Sequence, residues 1–245
     1  MPGGHPVALV TGAARRVGAA IARRLHAEGY DLALHYRGSA GEAAALVAGL
    51  EAARAGSVLP LQAELAEFDR LPELVARTVG RYGRLDALVN NASGFAPAAF
   101  GDIHPAHWDA MMAVNAKAPF FLAQAAAPHL RKARGAIVNL SDVYAQAPRA
   151  DLAAYATSKG ALEAATRALA VAMAPEVRVN AVAPGAILWP EGGIDPALQA
   201  RLMAMTPLGR TGTPDEIAGA VLWLLRDATY TTGSVLAVDG GRHPG

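Results

Sequence analysis

Cysteine is missing from all 245 residues, which excludes disulfides, a thiol nucleophile and thiolate-bound metals. Lysine is almost missing too, since Lys117, Lys132 and Lys159 are the only three. No uninterrupted apolar run is long enough to span a bilayer, and the opening MPGGHPVALVTG has no charged region ahead of a long apolar segment. A soluble cytoplasmic protein with no membrane partner is therefore expected. An excess of one charge is lacking as well: 22 basic residues face 21 acidic ones, so there is no basic stripe for nucleic acid and no acidic tail. Any phosphate site has to be local. What the chain does have is apolar mass, 53% of its residues, enough to exclude disorder and to bury a sizeable core.

The apolar residues fall into alternating short runs and helical stripes. PVALVT at 6–11 is a continuous run, as in a strand covered on both faces. TGAARRVGAAIARRLHAEGY then supplies a glycine turn and a helix with Val17, Ile21 and Leu25 on one stripe and Gly29 as its stop. DLALHY, SVLPLQ, LDALVN, GAIVNL, VRVNAV and SVLAVDGG read as further strands. Helices are predicted near 39–55, 70–82, 105–114, 117–133 and 154–174, and TPDEIAGAVLWLL opens with a capping box on Thr213 and Glu216. Residues 186–207 read as irregular, with at most one short helix. Strand and helix alternate without a linker, repeat or composition break, which predicts one α/β domain over 1–245 with a parallel sheet between helical layers.

Within that frame, Tyr155 and Lys159 stand one helical turn apart on a common face. With six tyrosines and three lysines, roughly 0.07 such pairs are expected by accident, so an incidental surface pair is the weaker explanation. Tyrosine titrates near pH ~10, and bringing it to neutrality takes about 4 kcal/mol. A close cation supplies an amount of that order, making Tyr155 a usable proton donor. The turn carrying Gly12 and Gly18 follows a buried first strand, where backbone N–H groups and a helix start would hold a dinucleotide pyrophosphate. The second strand ends HYRGSA with no carboxylate until Glu42, and arginines flank it. That pattern favours NADPH, with Arg16, Arg37 and Ser39 as contacts of the 2′-phosphate. Asn115, within a helix, fits a buried amide that satisfies a main-chain carbonyl. His104 and His107 have metal-like spacing, but HPAHWD reads as a helix start, so no metal is expected.

TGAARRVG, NNAS from Asn90, Asn115, Tyr155 with Lys159, and PG at Pro184 together resemble the short-chain dehydrogenase/reductase family over essentially the whole chain. The resemblance implies a single Rossmann-type, doubly wound domain with a seven-stranded parallel sheet, and a homotetramer. It implies Tyr155 as the acid, Lys159 as the ribose ligand that lowers the tyrosine pKa, and Asn115 as holder of a water in a proton relay. NADP would then lie along Gly12, Arg15, Arg16, Val17 and Gly18, against His35, Tyr36, Arg37 and Ser39, and past Glu64 and Leu65. Beyond these it would meet Asn91, Ala92 and Ser93, then Asn115, Leu140, Tyr155 and Lys159, and finally Pro184, Gly185 and Ile187. Glu64 stands where the family commonly has an aspartate near the adenine.

Two departures carry more information than the matches. Arg16 replaces the middle glycine of the family's loop, and Asp142 stands thirteen residues before the tyrosine, where the family has its catalytic serine. A serine hydroxyl donates to a carbonyl oxygen as negative charge develops there; an ionised carboxylate cannot donate and would repel it. An imine gains positive charge instead, so Asp142 suits reduction of a C=N bond. TGAARRVG, HYRGSA, NNASGF, the Asp142/Tyr155/Lys159 set, APEVRVN and DGGRH are similar to the pteridine reductase and dihydromonapterin reductase branch. That resemblance implies an NADPH-dependent reductase of a small-molecule pterin, with dihydrofolate reduction an open possibility. Ser93, Phe95, Asp142, Tyr155 and Trp189 would contact the substrate, Phe95 by stacking on the pterin ring and Trp189 by closing the pocket. A carbonyl or 3-oxoacyl reductase of the same fold is the enzyme alternative, and a nucleotide-binding regulator without catalysis is the alternative of another class.

Overall fold

The computed structural model describes residues 4–189 and 192–242. Seven strands and eight α-helices follow in order: β1 (Val7–Val10), α1 (Arg16–Ala27), β2 (Asp31–Tyr36), α2 (Ala40–Ala53), β3 (Val58–Gln62), α3 (Leu71–Tyr82) and β4 (Ala87–Asn90). The second half comprises α4 (Pro105–Met112), α5 (Ala118–Ala133), β5 (Ala136–Leu140), α6 (Ala153–Met173), β6 (Arg178–Pro184), α7 (Pro196–Ala204), α8 (Pro214–Arg226) and β7 (Val235–Val238). The strands form one sheet in the order β3-β2-β1-β4-β5-β6-β7, and each neighbouring pair is parallel. This is the predicted seven-stranded parallel sheet of a single α/β domain.

Its two faces are both apolar, which is why β1 is a run rather than an alternation. Ala8 and Val10 join Leu32, Leu34, Val89 and Val138 under α1, α2 and α8. Val7 and Leu9 point the other way, into a second core with Leu88, Ile137 and Val179 under α3, α5 and α6. α8 starts on the predicted capping box, with Thr213 and Glu216 bonding reciprocally and Pro214 in the first turn. Within 186–207 the short helix is α7, capped by the Asp195 carboxylate on the Ala197 N–H at 2.9 Å. The helices expected at 105–114 and 117–133 are joined by a π-type turn at Ala113–Lys117, which carries the buried Asn115.

The strand order reverses direction at β1, between β2 and β4, so a crevice opens there beyond the strand ends. Side chains lace that crevice shut at its base. The Thr11 hydroxyl accepts the N–H groups of Asn91 and Ala92, each at 3.0 Å, and the Asn91 amide donates to the carbonyls of Thr11 and Gly12, each at 2.9 Å. Gly12 has φ +61°, and a Cβ on Gly18 would lie 2.2 Å from the Gly12 carbonyl oxygen and 2.6 Å from the Asn91 amide nitrogen. Gly18→Ala is therefore expected to lower stability by about 2 kcal/mol, in the range of overpacked sites, and to weaken binding of a dinucleotide at this loop at least about tenfold. Urea unfolding and fluorescence titration read the two effects separately.

Candidate active site

Two adjoining cavities occupy the crevice. The first, about 440 Å³, is lined by Gly12, Arg15, Arg16, Val17, Gly18, His35, Tyr36, Arg37, Ser39, Glu64, Leu65, Asn91, Ala92 and Ser93, all expected from the sequence to meet a dinucleotide. Gly12 and Gly18 leave out a Cβ that would strike the Asn91 amide, Ala92 or the Gly12 carbonyl, so the loop lies close on the end of β4, and its backbone at the start of α1 is of the kind that holds a pyrophosphate. His35 supports this loop rather than offering a free ring: its Nδ1 accepts the Gly12 N–H at 3.2 Å, which leaves Nε2 to donate to the Ala63 carbonyl at 3.2 Å. Burial lowers its pKa and keeps it neutral. At the second-strand end, Arg37 and Glu64 form an ion pair at 3.5 Å, 71% and 35% exposed. An exposed pair of this kind is worth at most about 1 kcal/mol, so the guanidinium can exchange that partner for a phosphate.

Arg16 differs from expectation. Its backbone has φ +53°, the left-handed region a middle glycine would adopt without strain. Its guanidinium reaches across to donate to the carbonyls of Leu188 and Trp189 at 3.1 and 3.2 Å. In this structure Arg16 ties the glycine loop to the segment after β6 rather than standing open for a 2′-phosphate. The same residue lines both cavities.

The second cavity, about 650 Å³, is lined by Ser93, Phe95, Asp142, Gly185, Ile187 and Trp189 together with Tyr144, Arg149 and Arg242. At its inner end the Tyr155 hydroxyl donates to the Asp142 carboxylate at 2.8 Å, and the other Asp142 oxygen accepts the Tyr144 N–H at 2.9 Å. The segment just after β5 thus aims Asp142 inward by capping a 3-10 turn. Ser141 is turned away: its hydroxyl donates to Glu163 at 2.8 Å in the protein interior. It does not take the place of a catalytic serine. Phe95 meets Tyr155 edge to face, with centroids 4.9 Å apart, and remains 51% exposed towards the cavity.

Lys159 is buried, with Nζ donating to the Leu140 carbonyl at 2.7 Å. Burial lowers its pKa to about 8 despite the attraction of Asp142. Its Nζ lies 5.8 Å from the centre of the Tyr155 ring. The expected lowering of the tyrosine pKa is not what this geometry produces. Burial first, and then the neighbouring Asp142 carboxylate, raise the phenol well above its ordinary value, because its closest charged neighbour is negative and it already donates to it. Burial also raises Asp142, against the opposing pull of the Tyr144 N–H, the Tyr155 hydroxyl, Lys159 and Arg242. The phenol therefore keeps its proton and donates it to the Asp142 carboxylate.

Behind the pair, the Asn115 amide donates to the Gly94 carbonyl at 3.0 Å and to the Ser158 hydroxyl at 2.9 Å, and its oxygen accepts from the Gly94 N–H at 2.8 Å and the Ser93 hydroxyl at 3.2 Å. Ser158 in turn donates to the Tyr155 carbonyl at 2.7 Å. Asn115 is thus the expected buried amide on a main-chain carbonyl, and it joins the NNAS strand end to α6. Pro184 ends β6, and the Gly185 N–H pairs with the Val238 carbonyl at 3.0 Å, where a Cβ would meet Asp239 at 2.7 Å. Sequence reasoning missed Tyr144, Arg149, Arg242 and Glu163. Glu163 alone had a local signal, a carboxylate one turn beyond Lys159 on the buried face of α6.

The sequence profile described as enoyl-(acyl carrier protein) reductase matches residues 12–243. The chain belongs to the short-chain dehydrogenase/reductase family. It is an oxidoreductase of that family, whose members use nicotinamide cofactors. It is 40% identical to a putative ketoacyl reductase of granaticin polyketide synthesis from Streptomyces violaceoruber, over 97% of this chain and 96% of that one. It is 35% identical to pteridine reductase 1 of Leishmania tarentolae, covering 96% of each. It is also 35% identical to the 3-oxoacyl-[acyl-carrier-protein] reductase of Staphylococcus aureus, over 96% and 97%. Among the described residues no helix is long and apolar enough to cross a membrane.

Proposed function

We propose that this oxidoreductase is NADPH-dependent and reduces a ring C=N bond of a dihydropterin. The observation that carries this reading is the carboxylate of Asp142 at 2.8 Å from the Tyr155 hydroxyl, with the Ser141 hydroxyl held off by Glu163. NADPH, when bound, supplies the hydride to a ring carbon. The paired oxygens of Tyr155 and Asp142 hold the proton that the ring nitrogen receives, and a negative carboxylate favours the positive charge that develops on that nitrogen. Lys159 and Asn115 hold the donor strand ends and α6 in place around this pair. Phe95 offers its exposed face to the flat ring, and Trp189 stands over the cavity. Arg37 and Ser39 take the 2′-phosphate, with Arg16 joining them on release of its two carbonyls. A cytoplasmic homotetramer completes the reading.

A second reading, reduction of a 3-oxoacyl thioester, has its own support. The names of the relatives weigh towards it. Burial also pushes the Asp142 pKa upward, and a carboxyl that took up a proton would donate to a carbonyl oxygen as a serine does. One panel separates the two. With NADPH, dihydrobiopterin is expected to be turned over with kcat/KM at least about 100-fold above that of an acetoacetyl thioester, a gap of about 2.7 kcal/mol. The reverse order replaces the first reading with the second. Equal kcat/KM with NADH and NADPH would remove the phosphate role of Arg37 and Ser39.

A further inference from the structure

In a chain whose charges nearly cancel, 22 basic against 21 acidic, the second cavity is strongly one-sided. Its described lining holds four arginines, Arg15, Arg16, Arg149 and Arg242, and one carboxylate, Asp142. Arg16 is committed to the carbonyls of Leu188 and Trp189 and belongs to the cofactor side. Arg149 and Arg242 are both arranged around one residue, Tyr144. The Arg242 guanidinium lies 5.0 Å from the centre of the Tyr144 ring and donates to the Tyr144 hydroxyl at 3.0 Å. Arg149 lies 5.8 Å from the same ring. A bidentate pair with Asp151, at 2.5 and 2.7 Å through Nε and Nη2, fixes the direction of the Arg149 fork. Asp151 itself is not part of the cavity wall. Tyr144 is also the residue whose N–H caps Asp142, so the distance from the reacting end to the two guanidiniums is set by a single short turn.

We infer that Arg149 and Arg242, both held against the Tyr144 ring, form an anion subsite for a carboxylate or phosphate on the far end of the substrate. The cavity then has two poles. Asp142 takes the electron-poor, proton-accepting end, and the two arginines take an anionic tail, an arrangement that orients the substrate before hydride transfer. The inference rests on the reading that this cavity holds the substrate. It makes tail charge a determinant of specificity independent of the bond that is reduced.

The test uses substrate pairs that share a reacting group and differ in tail charge. Dihydrofolate has a dianionic glutamate tail and dihydrobiopterin an uncharged one; acetoacetyl-coenzyme A has phosphates, and acetoacetyl-N-acetylcysteamine has none. For whichever pair the enzyme reduces, the ratio of kcat/KM, charged over uncharged, is measured with NADPH in the wild type, Arg149→Gln and Arg242→Gln. The ratio is expected to fall about tenfold or more in each variant, mainly through KM of the charged member, and to fall in the wild type as sodium chloride is raised from 50 to 500 mM. The salt series needs no variant and so stands if a variant folds poorly. A ratio that moves less than twofold in both variants and with salt overturns the subsite. Turnover of the thioester pair with neither pterin reduced would overturn the pterin reading instead, while the ratio for that pair still decides the subsite.

Discussion

Tyr155→Phe is expected to lower kcat by about 10³-fold, in the range that removal of a general acid produces, while the affinity for NADPH stays within about threefold. The reason is local. The Tyr155 ring is buried against Leu152, Ala154 and Met111 and edge-on to Phe95, and phenylalanine keeps all of that packing. What is lost is the hydroxyl whose side-chain partner is Asp142 at 2.8 Å. Without it the buried carboxyl loses one of the groups that favour its charged form, so the variant should hold the Asp142 proton more tightly. Single-turnover rates with NADPH, alongside thermal unfolding, read the two sides. A variant that unfolds while cofactor binding is lost would assign the residue to packing instead.

Asp142→Ser has the second large expected effect, and its sign depends on the substrate. For a dihydropterin, kcat should fall about 100-fold, because the serine hydroxyl donates without supplying the negative charge that favours a protonated ring nitrogen. For an acetoacetyl thioester, kcat should hold or rise, since the hydroxyl now meets the developing oxyanion as a plain donor. NADPH affinity should barely move, because Asp142 lines the second cavity and not the first. Unchanged pterin turnover would end the catalytic role of this aspartate.

Much of this site is legible in the chain because its signals are local. Tyr155 and Lys159 share a helix face, Gly12 and Gly18 bracket one turn, and the apolar run of β1 announces a sheet covered on both sides. Those relations survive without tertiary knowledge. The glycine-loop and second-strand side of the first cavity is legible for the same reason, since a loop between a strand and a helix has few places to go, whereas Asn115, Leu140, Tyr155, Lys159 and Pro184 do not line it.

Other features depend on partners brought from far along the chain. Ser141 and Asp142 are adjacent, and which one faces the cavity is decided by Glu163, 22 positions away and donated to by the Ser141 hydroxyl. Arg16 looks in sequence like a phosphate ligand, yet its guanidinium finds carbonyls 172 and 173 residues on. Arg242 reaches Tyr144 across 98 residues, and no spacing rule connects them. Spacing places the lysine beside the tyrosine but cannot place the carboxylate closer, so the phenol is raised rather than lowered. At this site the nearer negative charge and burial outweigh the cation.

The bonds from Thr11 and Asn91 across the base of the crevice have a consequence for how such a loop can change. The turn that receives the dinucleotide does not hold its own shape; the end of β4 holds it by two carbonyls and one hydroxyl. A scaffold braced from outside tolerates a strained arginine in a place built for glycine, at a cost of roughly 1 kcal/mol. Positions within the turn are then open to acquire new tasks, as Arg16 has, whereas Asn91 is the keystone whose replacement would release the whole arch.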